Sequence, residues 1–185
     1  MKINAHNDDL RYPAAAIFLH WIIAIMVVTN LLSGFLFANN IIIFSAQINF
    51  HKLSGVTILS LVVVRVLWRL THSYPSLNGL IPTSERFLAH FGHLFLYFLL
   101  LVLPLSGILL VQSFGKSIEL FGLAIPQIIN TTDNATAEQF LQIHEALAIM
   151  LSTLVTGHII AALKHHFIDK NDILRRMLPK WFLRK

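Results

Sequence analysis

The apolar segment from Phe140 to His166 contains histidines, which are unusual in a stretch with the composition of a membrane helix. His144 and His158 are 14 residues apart. In a helix that spacing is about four turns and about 21 Å, so the two imidazoles would lie on one face at two depths. Ionisable side chains inside a membrane are rare and usually mark a site. The spacing therefore predicts two ligand sites, one above the other, along one side of this helix.

The composition predicts the elements that position these histidines. Hydrophobic residues make up 56% of the 185 residues, charged residues 12%, and the mean hydropathy is +0.69, outside the usual range of soluble domains. Four apolar runs have about the length that crosses a membrane as a helix; they cover about residues 14–38, 50–70, 88–112 and 140–166. The prediction is an all-α integral membrane protein, a four-helix transmembrane bundle forming a single domain over residues 1–185.

The distribution of positive charge predicts the orientation of the bundle. The first connection lacks Lys and Arg, and the third has only Lys116, whereas the two termini and the second connection are basic. The residues on this basic side include Lys2, Arg11, Arg65, Arg69, Arg86 and those between Lys170 and Lys185. By the positive-inside rule both termini are cytoplasmic, and the first run, too long for a signal peptide, is a retained helix. The net charge of +5 then reflects topology and contact with membrane lipid, and it needs no nucleic-acid partner.

Depth sorts the histidines into two groups. His51 and His144 lie near the outer ends of their helices, and His158 lies toward the inner end of the fourth helix. Either His20 or His93 could be the inner partner of His158, because both lie the same short way into their helices. The histidines expected to be only interfacial or hydrogen-bonded are His6, His72 and His90.

The ligand type indicates haem rather than zinc. A zinc site usually gathers three or four ligands at one depth, often with cysteine, and this chain has no cysteine. A haem needs one or two axial imidazoles, and its apolar macrocycle suits the interior of a bundle. Small residues that allow close approach of helices are present at Gly34, Gly55, Gly107 and Gly157.

Each of the four runs also contains a recognisable motif. The motifs are “IFLHWIIAI”, “INFHKLSGVTILSLVVVRVLWRL”, “LAHFGHLFLYFLLLVLPLSGILL” and “IHEALAIMLSTLVTGHIIAALKHHFIDKNDILRRMLP”. Together they resemble the helices of the bacterial cytochrome b561 family over nearly the whole chain. The resemblance implies two b-type haems, the outer held by His51 and His144 and the inner by His20 and His158. The outer loop departs most from the family pattern, and its polar segment 130–139 is expected to be the most mobile part of the chain.

Four further residues are candidates for roles in such a protein. Arg65 lies 14 residues after His51, where its guanidinium could pair with a propionate of the inner haem. The alternative is that its side chain only extends to the cytoplasmic interface and helps to set the orientation of the helix. His165 resembles the quinone-contacting histidine of the family, and an interfacial histidine pair is the alternative. Lys52 and Lys116 could attract a small anion to the outer side.

Imidazole on both faces of an iron leaves electron transfer as the expected chemistry. Close members of the family include a dihaem superoxide:ubiquinone oxidoreductase. The resemblance therefore implies oxidation of superoxide at the outer side of the bacterial inner membrane and reduction of ubiquinone near the cytoplasmic side. Two other classes stay open. One is a cytochrome b subunit with a redox partner protein, a membrane dehydrogenase or hydrogenase, and the other is a non-haem transporter or metal-handling protein.

Overall fold

Four long helices account for most of the structure. The computed structural model describes residues 11–42, 44, 46–72, 81–120, 122–129 and 132–183, so Lys2, His6 and Lys185 lie outside the described residues. The long helices are α1 (Ala14–Ala38), α2 (Gln47–Thr71), α3 (Thr83–Ser113) and α4 (Asn134–Phe167). Each of them is long and apolar enough to cross a membrane. The predicted four-helix transmembrane architecture is confirmed.

Three helices begin earlier than the apolar runs predict, at Gln47, Thr83 and Asn134 instead of at 50, 88 and 140. Hydropathy marks only the part of a helix that lies in hydrocarbon, so it misses polar first turns outside it. At the start of α4 the carboxylate of Asp133 accepts a hydrogen bond from the backbone N–H of Thr136 at 2.7 Å, and this bond lowers the pKa of Asp133. This N-cap starts α4 inside the segment that was expected to be mobile.

The helices alternate in direction, with α1 packed on α2, α2 on α3 and α3 on α4. We call the end at which α1 begins and α4 ends the terminal end, and the opposite end the loop end. The long connection at the loop end contains an antiparallel hairpin of β1 (Glu119–Leu120) and β2 (Leu123–Ala124), with Gly122 at a φ of 82° that favours glycine. Ile118, 5% exposed, packs against α2 and α3. The start of this connection is therefore attached to the bundle.

An apolar core fills the middle of the bundle. Its buried residues are Ile23, Val27, Ile58, Val62, Leu99, Leu103 and Leu151. Large apolar side chains also cover the outside of the helices, for example Phe18 at 66% exposure and Ile149 at 68%. Lipid tails solvate such a surface, whereas water would not. The outer surface therefore agrees with a bundle that lies in a membrane.

The chain after α4 folds back against α1. It forms α5 (Ile173–Met177) and then a short 3₁₀ helix (Lys180–Leu183). The indole N–H of Trp21, in α1, donates a hydrogen bond of 2.7 Å to the carbonyl oxygen of Met177. The C-terminal segment is thereby held at the terminal end of the bundle.

Candidate functional site

The loop end contains one of the predicted histidine pairs. His51, near the start of α2, lies opposite His144 of α4, and both side chains are partly buried. Their ring centroids are 6.1 Å apart, and the ring planes make an angle of 87°. The structure thus brings together the two residues that the depth argument assigned to the outer side.

Both rings of this pair have a partner for Nδ1. Nδ1 of His51 lies 3.2 Å from the carbonyl oxygen of Asn30 and 3.2 Å from Oγ of Ser33. Nδ1 of His144 lies 2.9 Å from Oγ of Ser106. A metal-bound histidine usually binds through one ring nitrogen and donates a hydrogen bond from the other. These contacts therefore suit rings that carry the proton on Nδ1 and offer Nε2 to a metal.

Glycine leaves space for the two rings. A Cβ atom on Gly34 would lie 2.8 Å from Cε1 of His51, and one on Gly107 would lie 3.0 Å from Cε1 of His144. A Cβ atom on Gly157 would meet nothing within 4 Å. Of the predicted small residues, Gly34 and Gly107 are therefore the ones that allow the loop-end pair to fit.

A repeated Leu-Ser-Gly sequence supplies these contacts. It occurs at residues 32–34 of α1 and 105–107 of α3, and in both copies the serine contacts an imidazole while the glycine leaves room for it. A third copy lies at residues 53–55 of α2, where Oγ of Ser54 is 2.6 Å from Nδ2 of Asn30. Sequence reasoning used the glycines and missed the serines, although the repeat was a visible signal.

The terminal end contains a group of three histidines. His158 of α4 has ring-centroid distances of 6.4 Å to His20 of α1 and 5.4 Å to His93 of α3. Both residues that the sequence left open as partners of His158 are thus near it. The apolar core lies between this group and the pair at the loop end, since its residues occupy the intervening turns of all four helices.

The ring spacings can be compared with the requirement of a metal held by two imidazoles. Metal–nitrogen bonds of about 2 Å, with each nitrogen about 1 Å from its ring centre, place two facing ring centres about 6 Å apart. The distances of 6.1 Å for His51 and His144 and 6.4 Å for His20 and His158 agree with that value. The 5.4 Å between His93 and His158 is shorter. Two of the three spacings therefore fit a haem iron with two axial histidines.

Arg65 lies beside the terminal histidines. Its Nη2 is 3.4 Å from Nδ1 of His20, and its Nη1 donates to the carbonyl oxygen of Ala16 at 2.8 Å. A guanidinium can only donate, so the contact with His20 requires a lone pair on Nδ1. An iron-bound ring that carries its proton on Nδ1 could not accept this bond. Metal binding at His20 would therefore release this part of the guanidinium for another acceptor.

A cavity of about 20 Å³ opens next to Arg65 and is lined in part by Trp68, Arg69 and Tyr97. The indole N–H of Trp68 is buried without a hydrogen-bond partner in the described part of the chain. Arg69 lies over the Tyr97 ring, 5.6 Å from its centroid. Hydrogen-bond donors and two guanidinium groups around one opening suit an anionic group such as a carboxylate.

The other predicted residues lie at the two ends of the bundle. Lys52 follows His51 and is partly buried, while Lys116 is exposed at the loop end with Nζ 5.9 Å from the centroid of the Phe114 ring. His165 lies at the terminal end, with Nδ1 2.7 Å from the carboxylate of Asp169. His72 and His90, expected to be interfacial, are both exposed.

Comparisons with known proteins agree with one another. Residues 11–180 match the family model described as prokaryotic cytochrome b561. “Cytochrome b561 homolog 2” of Escherichia coli (strain K12) is 33% identical over 178 residues, 94% of this chain and 94% of that protein. “Cytochrome b561 homolog 1” of the same organism is 30% identical over 92% of this chain and 98% of its own length. “Probable superoxide oxidase CybB” of Yersinia pestis is 34% identical over 70% of this chain and 73% of its own length.

Substitution of Gly34 tests whether the space at the loop end is needed for a cofactor. In Gly34→Ala the new methyl group would displace the His51 ring and weaken haem binding by roughly 5- to 150-fold, which corresponds to the cost of overpacking of about 1–3 kcal/mol. Haem content is measured per chain after purification and dilution. Gly157→Ala, next to His158 but with open space, is the matched control and should keep the wild-type content. Equal haem loss in the two variants would contradict this role of Gly34.

Proposed function

The chain belongs to the prokaryotic cytochrome b561 family, and from this premise we propose that it is a dihaem cytochrome that oxidises superoxide and reduces ubiquinone. Proteins of this family bind haem b and transfer electrons in membranes. Beyond this family property, we propose that the chain binds two haems, takes electrons from superoxide and passes them to ubiquinone. One observation carries it: two imidazole pairs with the spacing of axial haem ligands lie at opposite ends of one apolar bundle.

The proposed ligands are His51 and His144 for the haem at the loop end, and His20 and His158 for the haem at the terminal end. Their spacing supports this choice over His93, whose ring centroid is only 5.4 Å from that of His158. When bound, the haems would supply one-electron redox centres at two depths of the membrane. The four imidazoles would hold them, and the apolar side chains between the two ends exclude water from the middle of the bundle.

Arg65 is the proposed partner of a propionate at the terminal end. Its contact with Nδ1 of His20 is weak, at 3.4 Å, and would be lost once that nitrogen carries a proton. The adjacent cavity offers Arg69 and the unpaired indole N–H of Trp68 as further groups near an anion. An ion pair between the guanidinium and the propionate carboxylate would also prevent the haem from rotating in its site.

The proposed orientation has the terminal end in the cytoplasm, in the inner membrane of a bacterium. The positive-inside rule supports it, because the basic residues of the described chain lie mainly at that end. They are Arg11, Arg65, Arg69, Arg86, Lys164, Lys170, Arg175, Arg176 and Lys180. At the loop end the described basic residues are Lys52 and Lys116. The whole chain acts as a single domain in this account.

The loop end is the proposed site of superoxide oxidation. A relative of this chain is named a probable superoxide oxidase, which supports the donor. Lys52 is next to the proposed ligand His51, so it would attract a small anion close to that ligand. Four acids, Glu119, Asp133, Glu138 and Glu145, also lie at this end, and Glu145 directly follows His144. The attraction would therefore be local to Lys52 rather than a property of the whole face.

The terminal end is the proposed site of ubiquinone reduction. Each superoxide that becomes dioxygen releases one electron, so two of them provide the two electrons that one quinone needs. The quinone also takes up two protons to form its two O–H bonds. His165 lies at this end with 13% of its side chain exposed, and it is the residue proposed to lie next to the quinone and to take part in supplying its protons.

Single histidine substitutions test the ligand assignment. Because each haem would lose one of its axial ligands, His144→Ala should empty the loop-end site alone, and His158→Ala the terminal site alone. At the terminal end His20→Ala should remove haem, whereas His93→Ala should retain it. Haem per chain and redox titration of each purified variant measure the outcome. If His93→Ala loses the terminal haem and His20→Ala keeps it, the choice of ligand on α1 is wrong.

Stopped-flow mixing of the oxidised protein with superoxide tests the donor. Attraction by Lys52 is screened by salt, so the rate of haem reduction should fall as salt rises and should be roughly two- to ten-fold lower in Lys52→Glu. Arg175→Glu makes the same charge change at the terminal end and should keep the wild-type rate. A wild-type rate no faster than that of His51→Ala would remove superoxide as the donor and favour a cytochrome b subunit with a protein partner.

A further inference from the structure

Four ionisable side chains meet where α4 ends beside the start of α3. Nζ of Lys164 lies 3.0 Å from Oε1 of Glu85 and 3.0 Å from Oδ2 of Asp169. Nδ1 of His165 lies 2.7 Å from Oδ2 of Asp169, and Nε2 of His165 lies 3.8 Å from Oε2 of Glu85. The imidazole therefore has one carboxylate at each of its two nitrogens.

The end of α4 places Asp169 against His165. The backbone N–H groups of Ile168 and Asp169 both donate to the carbonyl oxygen of Lys164, at 2.9 and 3.1 Å. Lys170 then has a φ of 54°, and the N–H of Asn171 donates to the carbonyl oxygen of His165 at 3.0 Å. This left-handed turn stops the helix and returns the chain toward it. The carboxylate of Asp169 is thus held by backbone geometry as well as by its side-chain contacts.

His165 is the least exposed of these groups and lies between two carboxylates whose side chains reach the surface, since Glu85 is 34% exposed. The side chain of Asp169 is 30% exposed and that of His165 is 13% exposed. Oε2 of Glu85, the atom nearest Nε2 of His165, is buried and has no hydrogen-bond partner in the described structure. A path for a proton therefore runs from water at Asp169, through the two nitrogens of one imidazole, to a buried carboxylate oxygen.

The same atoms could in principle hold a metal ion, because ligand atoms of Glu85, His165 and Asp169 lie within 4.8 Å of one another. The ammonium of Lys164 already supplies a positive charge to both carboxylates. Its hydrogen bond keeps the pKa of Asp169 below the usual value. Nearby, Asp172 and Arg175 pair with each other at 3.5 Å. The ammonium of Lys164 thus already occupies the place between the two carboxylates that a metal cation would take, so the cluster suits transfer of a proton better than binding of a metal ion.

We propose that Asp169, His165 and Glu85 form the proton path that serves quinone reduction at the terminal end; this rests on the proposed function. A proton from cytoplasmic water reaches the Asp169 carboxylate and passes to Nδ1 of His165. Nε2 of His165 releases a proton to Oε2 of Glu85, which passes it to a quinone oxygen. In every step one O–H or N–H bond breaks and one forms. Two such transfers accompany the two electrons from two superoxide ions.

Asp169→Asn should slow this path without changing the haems. The protein is reconstituted in liposomes, its haems are reduced anaerobically with a photoreduced flavin, and a soluble ubiquinone analogue is added. Haem re-oxidation and proton uptake, followed with a pH indicator, should both be at least roughly ten-fold slower in Asp169→Asn, in the range lost when a general acid is removed. The rate in this variant should fall as pH rises, because protons must then come from dilute bulk solution. Asp169→Glu should restore most of the rate.

Asp172→Asn is the matched control, since it removes an exposed acid three residues away whose partner is Arg175. It should keep the wild-type rate, and the haem spectra of all variants should be the same. Glu85→Gln provides a second variant and should show the same loss as Asp169→Asn. Wild-type rates in Asp169→Asn and Glu85→Gln would overturn the proton path alone. If reduced wild-type protein does not pass electrons to the quinone, ubiquinone reduction fails and the path fails with it.

Discussion

A histidine buried in an apolar bundle needs a partner for each of its ring nitrogens, and the arrangement of the helices depends on meeting that need. At the loop end, Ser33 and Ser106 contact Nδ1 of His51 and His144, and glycines leave space for the rings. The apolar core offers no such partner between the two ends. Polar side chains are therefore concentrated at two depths, and the 14-residue separation of His144 and His158 sets the distance between those depths.

The two ends meet this need in different ways. At the loop end the Nδ1 atoms of the two rings contact neutral groups, which are two serine hydroxyls and the carbonyl oxygen of Asn30. At the terminal end Nδ1 of His20 has the guanidinium of Arg65 at 3.4 Å, and His165 of the same end contacts Asp169. Charge near a redox centre and hydrogen bonds to its ligands both affect its potential. The proposed haems would thus have unequal surroundings, with positive charge beside the one that is nearer the proposed quinone site.

Much of this organisation could be predicted from the sequence because it is periodic. Hydropathy predicts the four helices, and the helical repeat places His144 and His158 on one side. The early start of α4 could not be predicted in this way, because it depends on the N-cap at Asp133 rather than on hydropathy. The hairpin of β1 and β2 was missed because its strands have only two residues each.

Contacts between distant parts of the chain were the hardest to predict. Glu85 lies close to His165 only because α3 packs on α4, and no local pattern in the sequence predicts that contact. Asp169 is four residues after His165 but beyond the end of the helix, so the helical repeat does not apply to it. The choice between His20 and His93 also depends on distances across the bundle. The Leu-Ser-Gly repeat, in contrast, was a local signal for the serines that contact the imidazoles.

The haem content of the purified wild-type protein tests the central claim most directly. The claim is that two pairs of imidazoles, one at each end of the bundle, each hold one haem b through both axial positions. A pyridine haemochrome assay combined with a protein determination should give a ratio close to two, with the reduced spectrum of low-spin haem b. A ratio close to one, a high-spin spectrum or a colourless preparation would contradict the account.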